Sequence, residues 1–349
     1  MKRIGVLTSG GDAPGMNAAI RAVVRAASAR DMSVIGFKRG YNGPLMQSKN
    51  HTEDFEILTN RSVSGKVHRG GTFLMTARCL EFHKKEVQEK AIKNMRALGL
   101  EGLVCIGGDG TLTGANALNN LGFPTVGIPG TIDNDLAYTD FTIGFDTAVN
   151  TALDSVNRIR ETSESHERAS LITVMGRNCG DLAVHTALAC GAEFALIPEK
   201  EWWIEDIADQ IRWGALNGKR SNIIIFAEGA FNSLKSNLHD LCHKHEKLKG
   251  IENDQITSSK LAHIFEVLSG YEVRATVLGY IQRGGNPSAY DRNLASRMGA
   301  HAVKMLYEGR SGSAVGLKGN QMIEVPFSEI IGTRRGINQE LADLVDLLS

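Results

Sequence analysis

Three short segments of this 349-residue chain put glycines and carboxylates where a phosphate, a metal ion and an alcohol would need them. Each follows an apolar, largely β-branched run. Ser9-Gly10-Gly11-Asp12-Ala13-Pro14-Gly15-Met16-Asn17 follows Ile4-Gly5-Val6-Leu7. Successive glycines there expose backbone N–H groups at a helix start, where the dipole and unpaired donors favour phosphate. A tight strand-to-helix turn would read the same way, and the segment is neither a Walker A sequence nor GxGxxG. Gly107-Gly108-Asp109-Gly110-Thr111 follows Leu103-Val104-Cys105-Ile106. Its glycines admit a nucleotide phosphate, and Asp109 offers a hard oxygen to Mg²⁺, directly or through water; a plain helix N-cap is the alternative. Pro129-Gly130-Thr131-Ile132-Asp133-Asn134-Asp135 follows Thr125-Val126-Gly127-Ile128. In an extended loop Asp133 and Asp135 point the same way, with the Thr131 hydroxyl two residues earlier. That suits a general base and a hydrogen-bonding neighbour, set within about 3 Å of an alcohol. Asx-turn chemistry explains one such residue, not three.

Two arginines join these loops. Arg177 closes Met175-Gly176-Arg177 behind a further strand-like run, and Arg78 follows Gly70-Gly71-Thr72. Isolated arginines often only solvate a surface; near phosphate they stabilise charge on a migrating phosphoryl group. Together the segments describe a site for a polyphosphate, Mg²⁺ and a hydroxyl acceptor. A dehydrogenase would want a dinucleotide fingerprint, and a phosphatase a nucleophile or more metal ligands.

Short buried strands must carry these loops. Runs at 3–8, 34–37, 103–106, 125–128, 171–174, 195–197 and 222–226 alternate with amphipathic stretches, the first helix expected from Pro14 to Ala29 with Pro14 in its first turn. That rhythm predicts an α/β fold with mainly parallel sheets covered on both faces, and ligands at the carboxyl ends of strands. The polar stretch 232–259 interrupts it. Its His239, His243 and His245 are read as part of a solvated helical insertion, because no acidic or Cys partner completes a metal set. Trp202-Trp203 is read as packing at a helix start rather than a stacking platform.

The length suits two domains. Lys plus Arg (39) balances Asp plus Glu (39), so no global field favours nucleic acid or a membrane surface, and any anion site must be local. No apolar run approaches a membrane span. The five cysteines share no metal-ligand spacing, which fits a cytoplasmic protein with free thiols.

In order, Gly-Gly-Asp-Ala-Pro-Gly-Met-Asn (10–17), Gly-Gly-Thr-Phe-Leu (70–74), Gly-Gly-Asp-Gly-Thr (107–111), Pro-Gly-Thr-Ile-Asp-Asn-Asp (129–135), Met-Gly-Arg (175–177), Arg-Ala-Thr-Val-Leu-Gly (274–279) and Ile-Gln-Arg-Gly-Gly (281–285) resemble the bacterial-type phosphofructokinase family. The likeness runs from residue 2 to about 320. It implies two Rossmann-like three-layer domains with the active site in the cleft between them. The expected division is 1–144 plus 282–332 for a larger ATP-binding domain. Residues 145–281 plus 333–349 would form a smaller sugar-phosphate-binding domain. By position, Asp133 resembles the general base toward the 1-hydroxyl of fructose 6-phosphate. Thr131, Asp135, Arg177 and Gly11 would surround the transferring phosphoryl group. Gly11, Tyr41, Arg78, Cys79, Gly108, Asp109, Gly110 and Thr111 would line the ATP site, with Asp109 serving Mg²⁺. Arg168, Met175, Gly176, Glu228, Arg274, Tyr280 and Arg283 match sugar-phosphate contacts; Arg168 and Arg274 reach a neighbouring subunit's site in the family's homotetramer.

The resemblance also speaks to the phosphoryl donor and to regulation. Pyrophosphate-using relatives usually carry Asp at position 110 and Lys at 130, so Gly110 and Gly130 imply ATP; a pyrophosphate-dependent enzyme and a catalytically weak regulatory paralogue are the alternatives. Tyr280 stands where the family generally has His, and Tyr carries no positive charge at neutral pH. Weaker sugar-phosphate binding is expected. The family's effector pocket binds ADP or phosphoenolpyruvate, and Arg21, Arg25, Arg160, Glu193, Lys219 and Arg220 match it. Asn60, Asn217 and Ser221 stand where basic residues are common, which should weaken effector binding.

Overall fold

The computed structural model describes residues 1–251 and 256–348. Along the chain run β1 (Arg3–Thr8), α1 (Met16–Ser28), β2 (Ser33–Phe37), β3 (Phe55–Leu58), α2 (Lys85–Ala97), β4 (Gly102–Gly107), α3 (Asp109–Asn120) and β5 (Thr125–Pro129). Then come α4 (Phe145–Ser165), β6 (Ala169–Val174), α5 (Asp181–Cys190), β7 (Phe194–Leu196), α6 (Ile204–Leu216), β8 (Asn222–Ala227), α7 (Leu238–Lys244), α8 (Ser258–Ser269) and β9 (Val273–Val277). The chain ends with α9 (Ala289–Tyr307), β10 (Ser313–Lys318), β11 (Gln321–Pro326), α10 (Phe327–Ile330) and α11 (Gln339–Leu348). It divides into two compact units, 1–147 with 283–335, and 148–282 with 336–349.

The first unit is built on a seven-stranded sheet of order β11-β10-β5-β4-β1-β2-β3. Its five central strands are parallel, and β3 and β11 pair antiparallel at the edges. Alternate side chains of a strand serve opposite faces. Leu7, Phe37, Leu103 and Cys105 join Leu112, Ala115, Leu118 and Met95 in one buried cluster, which α2, α3 and α10 cover. Their neighbours Ile4, Val6, Val104 and Ile106 are equally buried, and α1 and α9 pack together over that side. Strands buried on both faces explain the near-continuous apolar runs. Helix α1 starts at Met16, two residues later than expected, because Gly15 at its N-cap has φ 106, and this left-handed turn keeps Pro14 out of the helix.

The second unit has a four-stranded, all-parallel sheet of order β7-β8-β6-β9. Helix α8 lies on β6 and β9 with α6 against it, while α5 lies on β7 and β8 and carries α11. Trp202 is buried at the start of α6, its Nε1 donating to the Ala230 carbonyl at 2.9 Å and its ring edge-on to Phe226. The segment expected at 232–259 as a solvated insertion is better anchored than that, since Leu241, Cys242 and Leu248 are buried. Positions 252–255 of it lie outside the described residues. All five cysteines are free thiols. Among the described residues no helix is long and apolar enough to cross a membrane.

Candidate active site

In the first unit the chain leaves β1 toward β2 on one side, while β4 returns to the other side of β1. Such a reversal opens a crevice at the carboxyl ends of adjacent strands, where parallel α/β sheets bind ligands. The Gly10–Gly15 and Gly107–Thr111 loops flank it. Ser9 N donates to the Ile106 carbonyl at 3.0 Å, and the Thr111 hydroxyl to the Ser9 carbonyl at 3.1 Å. Helix α3 begins at Asp109 with Gly108 as N-cap, so Asp109 sits exposed in the first turn rather than acting as the cap. A Cβ on Gly110 would meet nothing within 4 Å. Among the described residues no three His, Cys, Asp or Glu side chains gather into a metal site. A divalent ion at Asp109 would therefore complete its shell with phosphate oxygens and water, as Mg²⁺ commonly does.

The third loop packs beside the second: Gly130 N donates to the Gly107 carbonyl at 3.0 Å, and a Cβ on Gly108 would lie 3.7 Å from the Thr131 Cβ. The loop is not extended. Asn134 turns it at φ 50, its buried side-chain oxygen accepting from Thr142 N at 3.0 Å and Thr142 Oγ1 at 3.3 Å. Asn134 thus makes a left-handed turn between the two aspartates that is pinned by Thr142, eight residues on, rather than by a local Asx turn. Asp133 is 5% exposed, and its N–H donates to the Thr131 hydroxyl at 3.2 Å. The Asp135 carbonyl accepts from Arg335 N at 3.0 Å.

Arg283 closes on the first loop. Its Nη1 donates to the Asp12 carbonyl at 3.5 Å, and a Cβ on Gly11 would lie only 1.9 Å from that nitrogen. The 70–79 segment is held from beneath by Asn17, which donates to the Arg69 and Gly70 carbonyls at 3.0 Å and accepts from Phe73 N at 2.9 Å. Thr76 donates to the Gly10 carbonyl at 2.8 Å, and the exposed Arg78 and half-buried Cys79 follow two and three residues on. Burial pushes the Cys79 thiol pKa up. Tyr41 is buried: Phe82 stacks on it at 4.1 Å, and its hydroxyl donates to the Thr111 carbonyl at 2.6 Å. Tyr41 therefore supports the Asp109 loop from below, and burial holds its phenol protonated.

In the second unit the loops after β6, β8 and β9 lie on adjacent strands. Arg177 is held in the left-handed region at φ 52, and its N–H donates to Glu228 Oε1 at 2.7 Å. A Cβ on Gly229 would lie 2.1 Å from the Arg177 carbonyl oxygen, so these two loops touch backbone to backbone. Gly176, with φ 126, starts the turn behind Met175. Met175 N donates to Gln282 Oε1 at 3.3 Å, and fully buried Gln282 donates to the Gly279 carbonyl at 3.1 Å. Tyr280, by contrast, is 83% exposed. Arg168 and Arg274 meet on one carboxylate: Glu272 Oε1 lies 2.6 Å from Arg274 Nε and 3.4 Å from Arg168 Nη1. The Arg274 hydrogen bond, helped by Arg168, draws the Glu272 pKa down.

The residues matched to an effector pocket fall in two groups. Arg21 and Arg25 lie on α1, and Asn60 donates to Ser28 at that helix's end at 3.0 Å. In the second unit Lys219 pairs with Glu193 at 3.0 Å, Arg160 donates to the Cys190 carbonyl at 2.5 Å, and exposed Arg220 follows Lys219. Asn17, Gln282 and Thr142 hold the loops together without having stood out in the sequence, although Asn17 and Gln282 lie inside the quoted motifs.

Known proteins resemble this chain over most of its length. The phosphofructokinase family matches residues 3–306. An ATP-dependent 6-phosphofructokinase of Clostridium botulinum is 48% identical over 349 residues, all of both chains. A phosphofructokinase structure from Saccharomyces cerevisiae aligns with TM-score 0.79 at 33% identity, over 94% of this chain and 45% of the yeast chain. A pyrophosphate-dependent phosphofructokinase from Nitrosospira multiformis aligns with TM-score 0.81 at 17% identity, over 99% of this chain and 91% of its own, and so shares the fold. With the glycine loops on the carboxyl ends of β1 and β4 and a match spanning most of the sequence, this chain belongs to the phosphofructokinase family.

Proposed function

We propose that the protein is an ATP-dependent 6-phosphofructokinase, converting fructose 6-phosphate and ATP to fructose 1,6-bisphosphate and ADP. The observation that carries the choice of donor is the open space at Gly110, beside a glycine crevice at the switch between β1 and β4. A nucleotide's α-phosphate has room there; a carboxylate at 110 would repel it. In this reading Gly11, Gly108, Asp109, Gly110 and Thr111 hold the polyphosphate, with Arg78 and Cys79 at its edge and Tyr41 beneath. Asp109 would hold Mg²⁺ brought in with ATP, which neutralises charge on the phosphates.

Asp133 takes the proton of the sugar 1-hydroxyl as that oxygen attacks the γ-phosphorus and the bond to the β–γ bridging oxygen breaks. Its burial keeps water from competing for the carboxylate. Thr131, Asp135 and Arg177 surround the migrating group, whose transfer depends mainly on positioning and electrostatics. Glu228 fixes the Arg177 loop through its backbone bond. Met175, Gly176, Tyr280, Arg283, Arg168 and Arg274 serve the sugar phosphate, the last two for a neighbouring subunit of a homotetramer. Arg21, Arg25, Arg160, Glu193, Lys219 and Arg220 receive ADP or phosphoenolpyruvate, weakly, because Asn60, Asn217 and Ser221 supply no charge and Lys219 is already paired with Glu193. The setting is the cytoplasm, with neither membrane nor nucleic acid as partner.

The test is one coupled assay with fructose 6-phosphate and either ATP or pyrophosphate. Turnover with MgATP and none with pyrophosphate is expected. Turnover with pyrophosphate alone, or binding of both substrates without turnover, would overturn the reading.

A further inference from the structure

We propose that His239 and His243 form a binding site for a borderline divalent transition ion, of the class Ni²⁺, Cu²⁺ or Zn²⁺, on helix α7. The phosphoryl-transfer reading gives this segment no part, so the proposal stands independently of it. The residues are four apart on one helix, which stacks them on one face. Their Nε2 atoms lie 3.0 Å apart, with ring centroids 4.2 Å apart at 63°. Imidazole nitrogen binds such ions at about 2.0–2.1 Å, and two such bonds meeting near a right angle put their nitrogens about 3 Å apart. An ion therefore fits between the rings with little movement of the helix. Imidazole also suits these metals, whereas carboxylate and water suit Mg²⁺.

The surroundings hold the pair in place. Asn237 caps α7, accepting from Asp240 N at 3.3 Å, and donates to Asp240 Oδ2 at 2.9 Å. The other Asp240 oxygen stands 3.7 Å from His239 Nδ1, on the far side of the ring from Nε2. Metal-bound histidines commonly have a carboxylate on that side, which favours the Nδ1–H tautomer. Leu241 anchors the opposite face of the helix in the core and Cys242 is buried along its flank, while both imidazoles remain exposed.

Without an ion, the 3.0 Å contact is a hydrogen bond in which one ring's Nε2–H donates to the other's lone pair. Binding takes both Nε2 lone pairs, and the shared proton moves to Nδ1 of its own ring, so a neutral pair releases none. No third His, Cys, Asp or Glu joins the pair among the described residues. Water fills the other positions, giving an exchangeable site. Its effect is to clamp one turn of a seven-residue helix, far below the length at which helices hold alone in water.

The full chain is titrated with NiCl₂ by calorimetry in a non-chelating buffer, beside His239→Gln, His243→Gln and the double variant. One ion per chain is expected, with affinity reduced about tenfold or more in each single variant, since even partners outside the ligand shell carry about 10–100-fold. Cu²⁺ should give a spin-resonance spectrum with two-nitrogen coupling that the double variant lacks. Melting temperature and kinase rate without the ion should be unchanged, as both rings are exposed. Unweakened binding in the double variant, or none at about 1 mM ion, overturns the proposal.

Discussion

Arg283 and residue 11 compete for one space: the guanidinium Nη1 lies 1.9 Å from where a Cβ on residue 11 would be. Gly11→Ala must therefore push the guanidinium off the Asp12 carbonyl. A displacement of about 1 Å in an active site can cost about 10²-fold in rate, so kcat/KM should fall by about that factor while the fold survives. A variant with parental steady-state constants would remove both residues from the mechanism.

Replacing Asp133 by Asn keeps the shape of the loop but removes the carboxylate proposed as the base. The expected loss in kcat is about 10²–10⁴-fold, with KM for both substrates nearly unchanged. A drop confined to KM would instead assign Asp133 to binding.

Because nothing lies within 4 Å of a Cβ at Gly110, Gly110→Asp should leave the melting temperature unchanged. Placing like charges together costs several kcal/mol, so KM for ATP should rise at least about tenfold. An unchanged KM for ATP would show that the α-phosphate does not approach this position.

Tyr280 is so exposed that Tyr280→His loses no packing. Hydrogen bonds to charged groups contribute about 1.5–3 kcal/mol, so a fall of about tenfold in KM for fructose 6-phosphate is expected, larger at pH 6 than at pH 8 as the imidazole gains its proton. No change at either pH would make Tyr280 an adequate partner for the sugar phosphate.

Asp291 of α9 is fully buried and accepts from Gly144 N and Thr147 N at 2.8 Å, and from the Thr147 hydroxyl, at the start of α4. Burial outweighs these donors and lifts its pKa from the ordinary 3.8 to about 6. A raised carboxyl pKa adds stability that is full below pH 3.8 and is lost as pH rises through about 6. Urea titrations at pH 5 and pH 7.5 should therefore give the parent, relative to Asp291→Asn, about 1–1.5 kcal/mol more stability at pH 5, roughly half of the full contribution present below pH 3.8. An equal difference at both pH values would mean that Asp291 stays ionised.

The strands that carry the site were legible because burial on both faces leaves nearly uninterrupted apolar runs, as in Leu103-Val104-Cys105-Ile106. Edge strands β3, β9 and β11 were not read, since half-exposed patterns such as Gln321–Pro326 lack that signal, and the buried β10 was missed because Gly316 interrupts its short apolar run. The glycine-aspartate loops announced a phosphate site by composition alone. Their supports did not: the Glu228 bond to the Arg177 amide and the approach of Arg283 to Gly11 join residues 51 and 272 positions apart, and no local pattern encodes such a meeting. The bend at Asn134 escaped notice because it depends on Thr142, which presents both donors.

The division of the chain also sets an order of synthesis. Strand β5 emerges with an open edge, because its partner β10 belongs to a stretch translated only after all of 148–282. Until then the nascent first unit exposes a strand able to pair with a wrong partner. The Asp135 carbonyl likewise waits for the amide of Arg335. Ribosome-bound chains stopped before β10 should thus carry an unfinished Asp133 loop, whose last support forms among the final events of synthesis.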